Sequence, residues 1–194
     1  MNKHLKNIWG WVAVLTMIYS FASCTKEKDD SKIIYGDTKI YMPQAMFVSG
    51  GVNNDYPVPS GGDSTNYNFT VDTLKDSIDV ILGVNRSGMQ ALEAYSVKVV
   101  TDADTIQQMI TNGDLDEYTA LLPAAAYALP GVVSVPVGAS ATTFHLSLSR
   151  VALRNYPGQK LALAVKLADP SKYTLNPDIS TTIVIIDVDA LPLD

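Results

Sequence analysis

The chain has 194 residues, with 20 acidic and 14 basic side chains and a net charge of −6 at neutral pH. An acidic chain without basic runs is a poor partner for nucleic acid and for anionic lipid, so we expect neither kind of electrostatic binding. A single cysteine, Cys24, excludes an internal disulfide and a multi-cysteine metal site, and no cofactor is expected.

Residues 1–23 have the three parts of a secretory signal peptide. Lys3 and Lys6 give a positive start, an apolar run follows over 8–19, and two small residues precede Cys24. The apolar run is shorter than the ~20 residues of a membrane span. We predict a lipoprotein signal peptide that is cut before Cys24, whose sulfur is then acylated. An ordinary secretory signal, or an uncleaved anchor with a chance cysteine, is the alternative.

Residues 24–36 are predicted to be an acidic tether. Residues 25–31 (TKEKDDS) contain no apolar side chain and would be solvated. The run resembles the short acidic export signal that follows the cysteine in surface lipoproteins of Bacteroidota. That resemblance implies an outer-membrane lipoprotein on the cell surface. Removing the two positive charges of the leader from a net charge of −6 leaves −8 for the rest of the chain.

Apolar residues alternate along most of the remaining chain, which is typical of half-buried strands. Pro43 cannot donate a backbone hydrogen bond, so the first strand is expected at a sheet edge or a bulge. The last strand is apolar on both faces and is expected in the centre of a sheet. Arg150 interrupts the alternation and indicates a bulge or a change of sheet. The predicted strands are 39–47, 76–84, 94–100, 142–149, 160–168 and 179–188.

One segment, 104–112, has helical rather than alternating spacing of its apolar residues. Asp104 is a candidate N-cap with Gln107 three residues later, and Gly113 is a candidate stop. We therefore predict a short helix laid across an end of the sheet.

Many short strands, one short helix and Gly/Pro-rich turns indicate a mostly β protein, an Ig-like antiparallel β-sandwich with Greek-key connections. We predict a single domain over 37–190. Between its first two strands lies a long polar stretch, 49–66, and loops of that length are uncommon unless they are functional or disordered. Its aromatic and amide side chains could form a shallow glycan-binding platform, or the tyrosines could simply anchor the loop ends. The candidate residues are Asn53, Asn54, Asp55, Tyr56, Asn66 and Tyr67.

Four stretches together resemble a known family. They are IYMPQA at 40–45, LLPAAAYAL at 121–129, VPVGAS at 135–140 and the tail at 161–188. They are similar to the Ig-like accessory domain of unknown function found at the N-terminus of Bacteroidota surface lipoproteins, including some family-18 endo-β-N-acetylglucosaminidases. The resemblance implies a structural or accessory role in glycan utilisation. The family has no established catalytic residues to transfer.

Catalytic and metal sites are weakly indicated. His145 is predicted on the solvent face of its strand, and no G-x-S-x-G motif accompanies it. Carboxylates occur in pairs, but the D-x-x-D-x-D-x-E pattern of family 18 is absent. The acidic turn after the helix could supply oxygen ligands to calcium, although it lacks the full EF-hand pattern. Its candidate ligands are Asn112, Asp114, Asp116 and Glu117.

The sequence therefore predicts a non-catalytic, lipid-anchored surface module. Its expected partners are the outer membrane, through the anchor, and either a glycan or neighbouring surface proteins. The alternative is a structural or adhesin-like assembly subunit that pairs through an exposed sheet edge, as at the Pro43 strand.

Overall fold

The structure is a computed structural model that describes residues 37–48, 51–60 and 68–194. The described residues belong to one compact unit. Cys24, the predicted leader and the predicted tether lie outside them, as do Asn66 and Tyr67 of the candidate loop.

Two packed sheets, a hairpin and two helices make up the described part of the chain. The strands are β1 (Lys39–Tyr41), β2 (Met46–Val48), β3 (Gly51–Asn53), β4 (Asp55–Val58), β5 (Phe69–Asp72), β6 (Ser77–Arg86), β7 (Tyr95–Thr101), β8 (Thr119–Leu121), β9 (Tyr127–Ala128), β10 (Val132–Val135), β11 (Ala141–Ser149), β12 (Lys160–Ala168), β13 (Thr174–Leu175) and β14 (Thr181–Asp187). The helices are α1 (Ala103–Asn112) and α2 (Arg150–Leu153), with 3-10 turns at Ala124–Ala126 and Val188–Ala190.

The strand order confirms a mostly β sandwich. Sheet I has the order β13-β1-β6-β11-β9, with β5 also paired to β6. Sheet II has the order β10-β7-β12-β14-β4, with β8 also paired to β12. Most pairs are antiparallel, as predicted, but β1–β13, β12–β8 and β14–β4 are parallel. β14 lies inside sheet II, as its apolar faces predicted.

The core lies between the inward faces of the two sheets. Along β6, the inward residues Ile78, Val80, Leu82 and Val84 are fully buried, and those of β11 follow the same alternation. Burial of such aliphatic side chains contributes roughly 1.5–3 kcal/mol each relative to exposure. The period-two pattern therefore fixed both the strands and the face that packs.

Helix α1 packs on the outer face of sheet II, not across an end as predicted. Its buried Ile106 contacts Ala162 and Ala164 of β12, where small side chains let the helix approach. The N-cap is Asp102, whose side chain accepts from the backbone N–H of Thr105 at 3.1 Å; Asp104, the predicted cap, lies in the first turn. Gly113 ends the helix with φ +76°, as predicted.

Three further expectations are corrected by the structure. The predicted strand 39–47 is divided, because the chain turns at Pro43 between β1 and β2, and β1 lies between β13 and β6 rather than at an edge. The stretch 49–66 is not one loop, since β3 and β4 form inside it. Arg150 begins the helical turn α2 instead of a bulge, because Ser149 caps that turn.

The two ends of the sandwich carry different loops. The N-terminal end, defined by residues 37–38 and loops 87–94, 136–140 and 169–173, is held together by backbone hydrogen bonds such as Ser87 N to Lys39 O at 2.8 Å. The opposite end carries the β5–β6 turn, α2 and residues 191–194. Among the described residues, no helix has both the length and the hydrophobicity needed to cross a membrane.

Candidate functional site

The described part of the candidate binding loop is built into the edge of sheet II. Asn53 Oδ1 accepts from Asp55 N at 3.0 Å, which turns the chain from β3 into β4. The backbone carbonyl of Asn54 accepts from Ile183 N at 2.8 Å and from the Thr182 hydroxyl at 2.9 Å. These bonds dock β4 in parallel beside β14 and fix the direction in which Asp55 points.

Tyr56 is an anchor rather than part of an exposed platform. Its hydroxyl donates to the carbonyl of Ile81 at 3.0 Å, and its ring packs against the main core. Burial raises the pKa of Tyr56 above its ordinary value. Asn68 donates to Pro57 O at 2.8 Å and accepts from Ser60 N at 3.0 Å, which joins it to the end of β4 and the residues that follow.

Beside this edge runs an open groove with a volume of about 490 Å³, which we call the β4 groove. That volume lies in the range of small-molecule sites, ~300–1,000 Å³. Proline and aliphatic side chains supply apolar surface, and three charged side chains supply hydrogen-bonding groups. The groove is lined by Asp55, Pro57, Val58, Pro59, Lys160, Ile185, Asp187 and Ala190.

The charges of the β4 groove form a defined pattern. Lys160 Nζ lies 2.6 Å from Asp116 Oδ2, and this hydrogen bond raises the pKa of Lys160, with a further contribution from the charge of Asp187. The same bond, with one from the Thr119 hydroxyl, lowers the pKa of Asp116. Within the described residues, neither Asp55 nor Asp187 accepts a side-chain hydrogen bond, so both carboxylates are available to a ligand.

The two carboxylates come from positions well separated along the strand. Asp55 pairs with Ile183, and Asp187 lies four residues further along β14. At a rise of ~3.3 Å per residue, the register places their Cα atoms ~13 Å apart along the strand. The two side chains therefore stand towards opposite ends of the β4 groove.

His145 lies on the solvent face of β11, as predicted, and is exposed. Ser147, two residues later, instead donates to the Asp79 carboxylate, which also accepts from Ser77 at 3.3 Å. Within the described residues, His145 makes no side-chain hydrogen bond to this serine or carboxylate. The geometry thus does not assemble a Ser-His-Asp relay at this strand.

In the acidic turn after α1, the Asp116 carboxylate is occupied by other residues of the domain. Asp116 binds Lys160 and Thr119 and accepts from Tyr118 N at 3.1 Å. Asp114 contributes its backbone N–H to the helix C-terminus, with Met109 O as acceptor at 2.9 Å. In the part of the chain that the structure describes, no three His, Cys, Asp or Glu side chains are grouped to hold a metal ion. Asn112 ends α1 and Glu117 is exposed.

Known proteins resemble this chain in fold. No protein-family profile matches the chain, and no curated protein does. Three solved Bacteroides ovatus structures are similar. One, described as a "putative carbohydrate binding protein", has a TM-score of 0.53 and 13% identity over 77% of this chain and 36% of its own. Two proteins of unknown function have TM-scores of 0.52 and 0.50, with 10% and 14% identity, each over 78% of this chain.

These likenesses show the β-sandwich fold shared with Bacteroides domains, as the sequence resemblance implied. The chain spans only about a third to a half of the length of those structures, since it covers 36%, 52% and 46% of them. Identities of 10–14% extend the similarity to the fold alone.

Sequence reasoning identified Asp55 but missed the rest of the β4 groove. Lys160 and Asp187 stand at the ends of two predicted strands, where a charged residue is ordinarily a solvated cap. They become neighbours because β12 and β14 pair with Lys160 opposite Asp187. The register of this strand pair, which the sequence does not give, is what places the two charged side chains together.

Proposed function

We propose that the protein is a non-catalytic binding module of the outer-membrane surface, attached through acylated Cys24, that captures glycans in the β4 groove. The observation that carries the proposal is the groove itself: apolar surface at Pro57 and Ile185 beside a lysine and two carboxylates that have no side-chain hydrogen-bond donor among the described residues. Sugars present C–H faces and hydroxyl groups, which such a mixed surface can contact together. The fold of the similar B. ovatus carbohydrate-binding candidate supports the same function.

The charge pattern narrows the ligand class. Asp55 and Asp187 are hydrogen-bond acceptors for hydroxyl groups and repel acidic sugars, while Lys160 is already engaged by Asp116. We therefore expect neutral oligosaccharides longer than one sugar, since the Cα atoms of the two aspartates lie ~13 Å apart along the strand. Uronic or sialic acids should bind less well.

A glycan array tests the proposal. We expect the wild-type protein to retain neutral oligosaccharides, and Asp187→Asn and Asp55→Asn to weaken that retention several-fold. Asp178→Asn removes the same charge at an exposed site outside the groove and should leave binding unchanged. Retention of no glycan, or equal effects of all three substitutions, would overturn the groove as the site.

The lipid anchor has its own test. Mass spectrometry of protein from isolated outer membranes should show loss of residues 1–23 and acyl chains on Cys24. Cys24→Ser should release the protein from the membrane. A chain that keeps its leader, or that stays bound after this substitution, contradicts the anchor and leaves the glycan proposal standing.

An assembly role is the second candidate, and an exposed sheet edge supports it. β1, which precedes Pro43, lies inside sheet I, whereas β10 ends sheet II with Val132 about half exposed at 55%. An open strand of this kind can pair with a second chain. Self-association on native gels that Val132→Lys abolishes would favour assembly over glycan capture.

A further inference from the structure

The loop 87–94 is held rigidly while its apolar side chains point into solvent. The buried guanidinium of Arg86 donates to the carbonyls of Gln90 and Ala91. The Tyr173 hydroxyl also donates to Ala91 O, at 3.2 Å, and Lys172 forms an ion pair with Glu93. A loop with this many fixed points is preorganised rather than loosely attached.

Three apolar side chains at this loop form what we call the apolar tip: Met89, Leu92 and Val137. Gly138 N donates to Leu92 O at 2.8 Å, so the loop that carries Val137 lies directly beside loop 87–94. Met89 and Val137 are 73% and 76% exposed. Ordered backbone that presents apolar side chains outward is typical of a contact surface.

The apolar tip lies at the end of the sandwich where the described chain begins. Ser87 N donates to Lys39 O at 2.8 Å, and a Cβ placed on Gly88 would lie 3.0 Å from the Thr38 hydroxyl. Twelve residues lie between Cys24 and Asp37, so thirteen residue steps join them. Fully extended, this segment spans at most ~45 Å, at ~3.3–3.6 Å per residue. The tether therefore lets this end of the domain reach the membrane, and this end is the nearer of the two to the anchor along the chain.

We propose that the apolar tip rests on the bilayer surface that holds the acyl chains of Cys24. The inference depends on the proposed lipid anchor. Three side chains are too few for a stable protein interface, which buries about 1,000 Å² or more. They are sufficient for a membrane contact, because the anchor supplies a high effective concentration and the contact itself can be weak.

This docking would orient the binding groove. Lys160 and Asp187 lie at the start of β12 and the end of β14, and these strands reach the N-terminal end only at Ala168 and Thr181. A domain resting on the apolar tip would therefore hold that part of the β4 groove away from the membrane and open to ligands.

Tryptophan scanning tests the proposal, since Trp9 and Trp11 both precede Cys24 and the processed protein has no tryptophan of its own. Met89→Trp places a probe at the apolar tip. Leu74→Trp is the matched control, because Leu74 is 98% exposed in the β5–β6 turn at the opposite end. Both variants, processed and acylated at Cys24, are reconstituted in phosphatidylcholine vesicles that contain brominated acyl chains, and quenching of fluorescence is measured.

We expect several-fold stronger quenching and a blue-shifted emission for Met89→Trp. Equal quenching of the two variants would overturn the docking, and so would a blue shift that follows protein density instead of brominated lipid, which would indicate a second copy as the partner. Flotation of the vesicles and the protein mass report the anchor separately. Protein that floats without differential quenching retains the anchor and refutes the docking; protein that does not float refutes both.

Discussion

Two arginines, Arg86 and Arg150, are buried at opposite ends of sheet I and are stabilised differently. Arg150 is 8% exposed, its Nη1 lies 2.8 Å from Asp76 Oδ1, and its Nε donates to Pro192 O at 3.0 Å. Arg86 is 5% exposed and has no carboxylate partner among the described residues. It donates to two loop carbonyls, and its guanidinium lies 5.2 Å from the centroid of the Tyr173 ring.

The difference shows two ways to keep a cation inside a sandwich. A carboxylate neutralises Arg150, and that arginine in turn holds residues 192–194 to the end of the sheet. Carbonyl dipoles and an aromatic face solvate Arg86, whose Nε is buried without a partner in the described part of the chain. The first arrangement fixes a chain segment, whereas the second fixes a loop and leaves polar atoms less well satisfied.

Substitution of Arg150, the arginine that is paired with a carboxylate, should have the largest effect on stability. We expect Arg150→Met to lower the free energy of unfolding by about 3 kcal/mol, because it removes the buried donor at 2.8 Å from Asp76 and leaves the carbonyls of Pro192 and Asp194 without their charged partner. Urea denaturation measures the loss. Amide hydrogen exchange should rise at Leu191 and Leu193, whose segment loses its attachment.

Arg154→Met is the control for that variant. Arg154 is 44% exposed, lies 3.7 Å from the other oxygen of Asp76 and donates from Nε to Leu193 O at 2.7 Å, so its loss should cost under about 1 kcal/mol. If the two substitutions destabilise the protein equally, burial of Arg150 is not the cause of its effect.

Substitution of Arg86, whose guanidinium is bound by carbonyl groups, should destabilise the protein somewhat less. We expect Arg86→Met to cost about 2 kcal/mol, since the carbonyls of loop 87–94 lose charged donors but no carboxylate is left unpaired. Exchange should increase within loop 87–94 and not near residues 191–194. A loss greater than that of Arg150→Met would reverse the comparison between the two ends.

Only a small effect at neutral pH is expected for Tyr95→Phe beside Arg86. The Tyr95 hydroxyl is buried without a hydrogen-bond partner among the described residues, so its removal should change stability by less than about 1 kcal/mol. Burial raises the pKa of Tyr95 from 10.0 to about 12, with the charge of Arg86 partly offsetting the rise.

The pH dependence follows from the direction of that shift. The folded protein favours neutral Tyr95, so its contribution to stability is present below pH 10 and is lost as the pH rises from 10 towards 12. Tyr95→Phe should flatten the stability profile between these values. Unfolding curves at several alkaline pH values test this, and an unchanged slope would show that Tyr95 ionises without opposition from the fold.

The two arginines also show how far alternation can be read. Arg86 continues the inward series that ends in Leu82 and Val84. Arg150 comes where β11 has ended, and it is buried as the first residue of α2. The sequence therefore indicated an inward position for Arg86 but not for Arg150. It contained no signal for their partners, because Asp76 and Tyr173 are brought near only by strand pairing and by loop 169–173.

The candidate site likewise combines a residue that the sequence predicted with residues that it could not predict. Asp55 was predicted from the polar composition around it, and the structure places it on the β4 groove. Lys160 and Asp187 could not be predicted, since a shift of register by one residue would move each to the other face of its sheet. For Tyr56 the sequence allowed two roles, part of a binding platform or an anchor of the loop end. Its hydrogen bond to the carbonyl of Ile81, 25 residues away, makes it an anchor.

By itself, the sequence determined what depends on local periodicity: the β-sandwich class, the inward faces of the long strands, the central position of β14 and the stop of α1 at Gly113. Tertiary structure alone decided what depends on distant pairing. It divided the first strand at Pro43, brought β4 beside β14, laid α1 on the small side chains of β12 and gave each buried arginine its partners. Period and turn chemistry act over a few residues, whereas register and burial are set by contacts between segments far apart in the chain.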